Sequence, residues 1–217
     1  MNISIFLADD HGLIRDGLKL LLENQPGFQV VGAVANGREA VRQIANLRPR
    51  IALVDISMPQ LNGIEATLLI KEQSPDTRVI ILSMHATSEL VFQALKAGAW
   101  GYLVKEEAGS EVVKAVLEVH AGHRYMSRKI MELFLECALA KNQTPLAASP
   151  LARLSPRERE VLQLVVEGKS SASIARILPL SPKTVDTYRS RLMKKLGVKD
   201  LPSLIKFVLR HGLSPMD

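Results

Sequence analysis

Three aspartates, a serine and a lysine in the first half of the chain each follow directly on a short apolar run. Asp9 and Asp10 follow Ile3–Ala8, Asp55 follows residues 51–54, Ser83 follows residues 79–82, and Lys105 follows Gly101–Val104. Three carboxylates close together repel one another and become tolerable beside a cation. Hard oxygen donors suit Mg2+, which keeps some of its waters and favours phosphoryl oxygens. A carboxylate supported in this way can attack phosphorus. The metal and Lys105 would offset charge on the group in transfer, and Ser83 could hydrogen-bond one of its oxygens. Taken singly, each of these is an ordinary turn residue; Asp55 could simply cap the turn that Pro59 and Asn62-Gly63 predict after it. No G-x-x-x-x-G-K-S/T phosphate loop occurs, so the phosphoryl group is expected from a partner rather than from ATP held by that device.

The chemistry depends on elements that bring these residues together. Ile14, Leu18, Leu21 and Leu22 form a helical stripe over Gly12–Glu23, and Phe28–Val34 reads as the second strand. Ala40, Val41, Ile44 and Ala45 follow the Asn36-Gly37 turn. A helix from Ile64 is stopped at Ser74-Pro75-Asp76, and Gly98 ends the one carrying Leu90, Val91, Ala94 and Leu95. Val112, Val113, Val116 and Leu117 form the last stripe. Five strands alternating with five helices predict an α/β doubly wound five-stranded parallel sheet with right-handed crossovers. In the order 2-1-3-4-5, the carboxyl ends of strands one, three, four and five adjoin at the switch-point crevice. Asp9, Asp10, Asp55, Ser83 and Lys105 would then converge. Trp100, just before the fifth strand, reads either as an exposed contact beside Tyr102 or as a packed rim residue.

The 217 residues allow two domains, and charge divides them. Residues 1–153 hold 16 Lys+Arg against 16 Asp+Glu; residues 154–217 hold 12 against 6, the whole net charge of +6. Only the second part is expected to meet a polyanion, although a solvated basic surface has the same composition. An amphipathic helix over residues 127–138 places the lone Cys137 with Ile130, Leu133, Phe134 and Ala138, as a buried structural thiol. Residues 141–150 carry two prolines and read as a linker. No apolar run is long enough to span a membrane and no signal peptide is visible, so the cytoplasm is the expected compartment.

Beyond the linker, Ser155-Pro156-Arg157-Glu158 is a capped helix start. A short helix from Ser170 carries Ile174, Ala175 and Leu178. After a turn at Pro179-Leu180-Ser181, a longer polar helix begins at Pro182 and closes at Gly197, and a last helix carries Leu201, Leu204, Ile205, Val208 and Leu209. A short helix, a tight turn and a longer polar helix describe a small all-α helix-turn-helix domain. On the polar helix Val185, Leu192 and Leu196 would face inward, leaving hydroxyls and cations for base edges and phosphates.

The motifs Asp9-Asp10-His11, Asp55-Ile-Ser57-Met-Pro59, Ser83-Met84-His85 and Gly101-Tyr102-Leu-Val-Lys105 resemble the receiver domain of bacterial two-component response regulators. That resemblance covers roughly residues 1–121. Leu154-Ser-Pro-Arg-Glu-Arg-Glu-Val-Leu162, Ile174-Ala175, Lys183-Thr-Val185 and Lys195-Leu-Gly-Val198 are similar to the LuxR-type DNA-binding domain, over about residues 154–213. Together they resemble the NarL/FixJ family, with a receiver at 1–121, a linker helix and linker at 122–153, and the DNA-binding domain at 154–217.

The resemblance implies that Asp55 accepts a phosphoryl group from a sensor histidine kinase. It implies Mg2+ held directly by Asp10, largely through water by Asp9, and by Asp55 and the backbone carbonyl of Ser57. Lys105 and Ser83 would contact the phosphoryl group, and Ser83 and Tyr102 would form a switch pair. His11 and His85 would lie near the site, at its surface or behind the ligands, with nothing requiring them as metal ligands. In the second domain Asp186, Thr187 and Ser190 would reach bases, while Lys183, Thr184, Arg189, Arg191 and Lys194 would touch phosphates or nearby bases. The final helix, through Leu204 and Val208, is implied as a contact in a DNA-bound homodimer. Ser171-Ala172-Ser173 departs from the longer polar residues usual there, and Glu106 stands where many receivers have proline.

The expected function is a non-enzymatic transcription regulator switched by phosphorylation of Asp55, through dimerisation or exposure of the polar helix to double-stranded DNA. Two other classes remain open on the sequence. An aspartyl phosphatase usually carries a second Asp two residues on, where Ser57 stands here. A regulator acting through protein contacts alone would show no DNA retention at low salt.

Overall fold

The apolar runs of the first part become strands because β-branched and aliphatic side chains can be covered on both faces. In the computed structural model, which describes residues 2–84, 87–140 and 153–210, the strands are β1 (Ile3–Ala8), β2 (Phe28–Val34), β3 (Ile51–Asp55), β4 (Arg78–Ser83), β5 (Gly101–Val104) and β6 (Tyr125–Met126). All pairings are parallel, in the order β2-β1-β3-β4-β5-β6. The expected order 2-1-3-4-5 holds, but the sheet has six strands rather than five. Two residues are too few to show periodicity, so β6 left no signal in the sequence.

Helices α1 (Gly12–Glu23), α2 (Gly37–Leu47), α3 (Gly63–Gln73), α4 (Ser88–Ala97) and α5 (Lys105–Ala121) alternate with the strands, and α6 (Arg128–Ala140) follows β6. Ile5, Leu7, Leu53, Ile80, Leu82 and Leu103 pack one face of the sheet against Leu18, Leu22, Val112 and Val116. Strand alternation sends Phe6, Ala52, Val54, Ile81 and Tyr102 to the opposite face, and all five are buried. Each fully buried Ile or Leu contributes roughly 2 kcal/mol. Asn36, Asn62 and Thr87 cap α2, α3 and α4 through their side chains, and Gly98 closes α4 at φ 108°.

Trp100 is a packed rim residue. The Arg78 guanidinium lies 4.5 Å from its ring centre and that of Arg124 5.7 Å. Arg78 also donates to the Val119 and His120 carbonyls, at the C-terminal end of α5. The chain divides into two compact units, Met1–Gln143 and Thr144–Asp217, so β6 and α6 belong with the sheet. The linker residues 141–150, His85 and the Cys137 side chain lie outside the described set.

The second unit contains α7 (Pro156–Val166), α8 (Ser171–Ile177), α9 (Pro182–Leu196) and α10 (Leu201–Arg210). Ser155 and Glu158 form a reciprocal capping box at α7, with Pro156 in the first turn. Val161, Leu164, Ile174, Leu178, Val185 and Leu192 are all completely buried in one core. That core also takes Leu204 and Val208, at 1% and 2% exposure. The two side chains expected as a dimer contact are therefore used inside the domain. An apolar i, i+4 pair shows that a helix face is covered, not what covers it.

Candidate functional site

Asp55 is the last residue of β3, Asp9 and Asp10 follow β1, Ser83 is the last of β4, and Lys105 opens α5 directly after β5. Parallel pairing aligns these ends at one edge of the sheet, so the five residues meet. The Lys105 ammonium lies 2.9 Å from Asp55 Oδ2 and 3.0 Å from each Asp9 carboxylate oxygen. His11 Nδ1 is 2.9 Å from Asp10 Oδ1 and 3.4 Å from Lys105 Nζ. Asp9, Asp10, His11 and Asp55 each bring one ligand atom within 4.8 Å of the others. Asp10 is the most open of the three aspartates, with 29% of its side chain exposed. His11, expected near the site without being required as a ligand, has its ring beside the cluster.

Burial pushes the Asp55 carboxyl up to about 6; the Lys105 ammonium pulls it down, the Asp9 carboxylate pushes it up, and bonds from Lys105 and the Ser57 backbone lower it. Desolvation of the charged form therefore outweighs the adjacent cation. One ammonium faces three carboxylates, which leaves negative charge in a crevice where Asp9 and Asp55 are nearly inaccessible. Asp9 Oδ2 and Asp55 Oδ2 lie at ion-pair distance from Lys105, and Asp10 Oδ1 lies near His11. Beyond these ion-pair contacts, none of the three buried oxygens has a further hydrogen bond among the described residues. Buried carboxylate oxygens that converge from two strand ends and keep acceptor capacity to spare fit a hard divalent cation.

The loop after β3 is pressed close to this point. A Cβ on Gly63 would lie 2.1 Å from the Asp55 carbonyl oxygen, so no larger residue fits, and the Gly63 N–H donates to the Ile56 carbonyl at 2.9 Å. Across the crevice, the Ser83 and Tyr102 hydroxyls are hydrogen-bonded. Burial pushes the Tyr102 hydroxyl up to about 12, so it stays neutral. The Tyr102 carbonyl accepts the Ser127 N–H at 3.2 Å, at the entry to α6, whose Ile130 is completely buried. Two further supports had no signal in the sequence. The Arg15 guanidinium donates to the Asp9 carbonyl at 2.7 Å, and β6 ties Met126 to Tyr102.

In the second unit Ser181 caps α9, Gly197 closes it in the left-handed region, and Val185, Leu192 and Leu196 face inward as expected. Lys183, Asp186, Thr187, Ser190, Arg191 and Lys194 are exposed, while Thr184 and Arg189 are half-buried. The Thr184 and Ser181 hydroxyls share a hydrogen bond at 2.8 Å, and the Thr187 hydroxyl donates to the Lys183 carbonyl. Lys195 turns inward to Glu158 at 2.7 Å, fastening α9 to α7. Asp186 is engaged by Ser171 of α8 at 2.6 Å. The exposed faces thus carry cations and hydroxyls on a rigid, doubly anchored helix.

Residues 5–117 match the family described as the response regulator receiver domain, and residues 152–208 that of the bacterial regulatory proteins of the luxR family. Response regulator UvrY of Escherichia coli is 36% identical over 211 residues, spanning 97% of this chain and 95% of its own. Oxygen regulatory protein NreC of Staphylococcus epidermidis is 34% identical, over 97% of this chain and 99% of the relative. Among solved structures, the two-component response regulator RcsB in complex with DNA is similar at a TM-score of 0.60 and 26% identity, covering 96% of this chain and 98% of that one.

Proposed function

The chain belongs to the NarL/FixJ family of two-component response regulators, and from that premise we propose that phosphorylation of Asp55 controls DNA binding by α9. The observation that carries the reading is the buried Asp55 carboxylate at a strand end, paired with Lys105 and converging with Asp9 and Asp10 on one point. Asp9, Asp10, Asp55 and the Ser57 backbone carbonyl are assigned to hold Mg2+. When bound, Mg2+ supplies positive charge that offsets the carboxylates and the incoming phosphoryl oxygens.

One Asp55 oxygen attacks phosphorus on the kinase phosphohistidine. The P–N bond breaks, its electron pair leaves with the imidazole nitrogen, and Asp55 becomes an acyl phosphate. Lys105 is already within ion-pair distance and balances the added charge. Ser83 exchanges its Tyr102 partner for a phosphoryl oxygen, and Tyr102 repacks. Because the Tyr102 carbonyl holds the first turn of α6, that repacking reaches the helix that leads on from the sheet. The receiver motifs are assigned to 1–121 and the output domain to 154–217; the stretch 122–153 carries β6 and α6, which stay with the receiver unit, and then the linker.

Ser57 occupies the position where an aspartyl phosphatase would have its acid/base, so the site receives a phosphoryl group and does not turn one over. The output is double-stranded DNA. Lys183, Thr184, Arg189, Arg191 and Lys194 are assigned to phosphates or nearby bases, and Asp186, Thr187 and Ser190 to base edges. The partners are a sensor histidine kinase and a second copy of the chain on DNA. No described helix is long and apolar enough to cross a membrane, and the protein is assigned to the cytoplasm. Incubation with acetyl phosphate and Mg2+ followed by intact-mass measurement tests the acceptor. One phosphoryl adduct is expected, absent from Asp55→Ala; an adduct that survives in Asp55→Ala refutes the assignment.

A further inference from the structure

A serine hydroxyl offers one proton and two acceptor lone pairs. At Ser171, the first residue of α8, both capacities are used across the turn. Its Oγ donates to Asp186 Oδ1 at 2.6 Å and accepts from Arg189 Nη1 at 3.1 Å. Asp186 and Arg189 stand three residues apart on α9 and are neighbours on one helix face. A single hydroxyl on the supporting helix therefore sits between an acid and a base of the reading helix and sets the rotamer of each.

An exposed carboxylate on a helix that approaches phosphates is repelled by them, and is best placed where it accepts from a base amine. With its Oδ1 taken by Ser171, the exposed Asp186 keeps its second oxygen as an acceptor, which suits the N4 amine of cytosine. Arg189, with one nitrogen held, retains the other donors of its fork. Without the hydroxyl, the two side chains would be free to pair with each other at the i, i+3 spacing, which withdraws the acceptor and a donor from the groove together.

We propose that Ser171 is a positioning residue for base discrimination: it never needs to touch DNA, and acts by orienting Asp186 and Arg189. The proposal rests on α9 being the helix that reads bases. Ser171 is half-buried and its hydroxyl is joined to two α9 side chains, so a substitution there changes readout more than packing.

The test selects bound sequences from random DNA with the full-length phosphorylated protein, then measures affinity for the selected site and its single-base variants at two salt concentrations. Ser171→Ala is expected to lower discrimination at one cytosine-dependent position of each half-site by about fivefold or more. Salt slope and melting temperature should remain unchanged, and Ser171→Thr should restore the preference. An unchanged motif in Ser171→Ala, or an affinity loss equal for every sequence, overturns the inference. Asp186→Ala and Arg189→Ala separate the two levels. If they alter the motif and Ser171→Ala does not, only the role of Ser171 fails; if they too leave it intact, base reading by this face of α9 fails with it.

Discussion

Replacing Asp55 with Asn should stabilise the sheet domain at neutral pH, and the size of the effect can be worked out. Burial holds the Asp55 carboxyl at about 6 in the fold, against about 4 in an unfolded chain. Ionising it on folding then costs about 3 kcal/mol above pH 6, at about 1.4 kcal/mol for each tenfold. The sign follows from the raised value. Below about pH 4 both states are protonated and the penalty is absent; it grows between 4 and 6 and is complete above. Asn has nearly the shape of Asp and cannot ionise, so Asp55→Asn should gain about 3 kcal/mol at pH 8 and nothing at pH 4. For a domain of this size that is an increase of about 10 °C in melting temperature. Trp100 is the sole tryptophan and packs on this domain's core, so its fluorescence follows this transition and not that of the second unit. Added Mg2+ should narrow the gap, because it binds the wild-type carboxylates more strongly than the variant. A variant no more stable than wild type at pH 8 without metal would refute the electrostatic reasoning.

Three further outcomes follow from other parts of the molecule. Gly63→Ala should displace the loop beneath the acceptor and cost about 1–3 kcal/mol, so phosphorylation measured by intact mass should slow severalfold while DNA binding at low salt persists. Glu158→Ala removes the acceptor of Lys195 and of the Ser155 N–H, lowering the second unit's stability by about 1–2 kcal/mol. Burial raises the Glu158 carboxyl, but the Lys195 and Ser155 bonds outweigh it and the net value is lowered. Its contribution should therefore be present above about pH 4 and disappear in more acidic solution, seen by far-ultraviolet circular dichroism with the Trp100 transition unmoved. Lys183→Ala with Arg191→Ala should reduce the slope of log affinity against log salt by about 2, and an unchanged slope would remove both from the phosphates.

Much of the receiving site was legible because its residues occupy strand ends, and strand ends are marked by where apolar runs stop. Once five such runs alternate with helical stripes, the convergence of Asp9, Asp10, Asp55, Ser83 and Lys105 is a matter of topology. What escaped was what depends on three-dimensional neighbours. The Arg15 bond to the Asp9 carbonyl and the two-residue β6 have no periodic signature. Leu204 and Val208 showed an apolar face, and only packing reveals that their own domain covers it. The Ser171 departure was visible as a short side chain, while its bonds to Asp186 and Arg189 required the α8–α9 turn to be in place.

On the proposed function, charge at Asp55 is read out as DNA affinity in the basic domain. The most direct measurement is the affinity of one preparation for its selected DNA site before and after phosphorylation, with occupancy verified by mass and Asp55→Asn carried in parallel. Affinity should rise with occupancy in the wild type and stay flat in the variant. Full occupancy of Asp55 with no change in affinity would contradict control of DNA binding through Asp55.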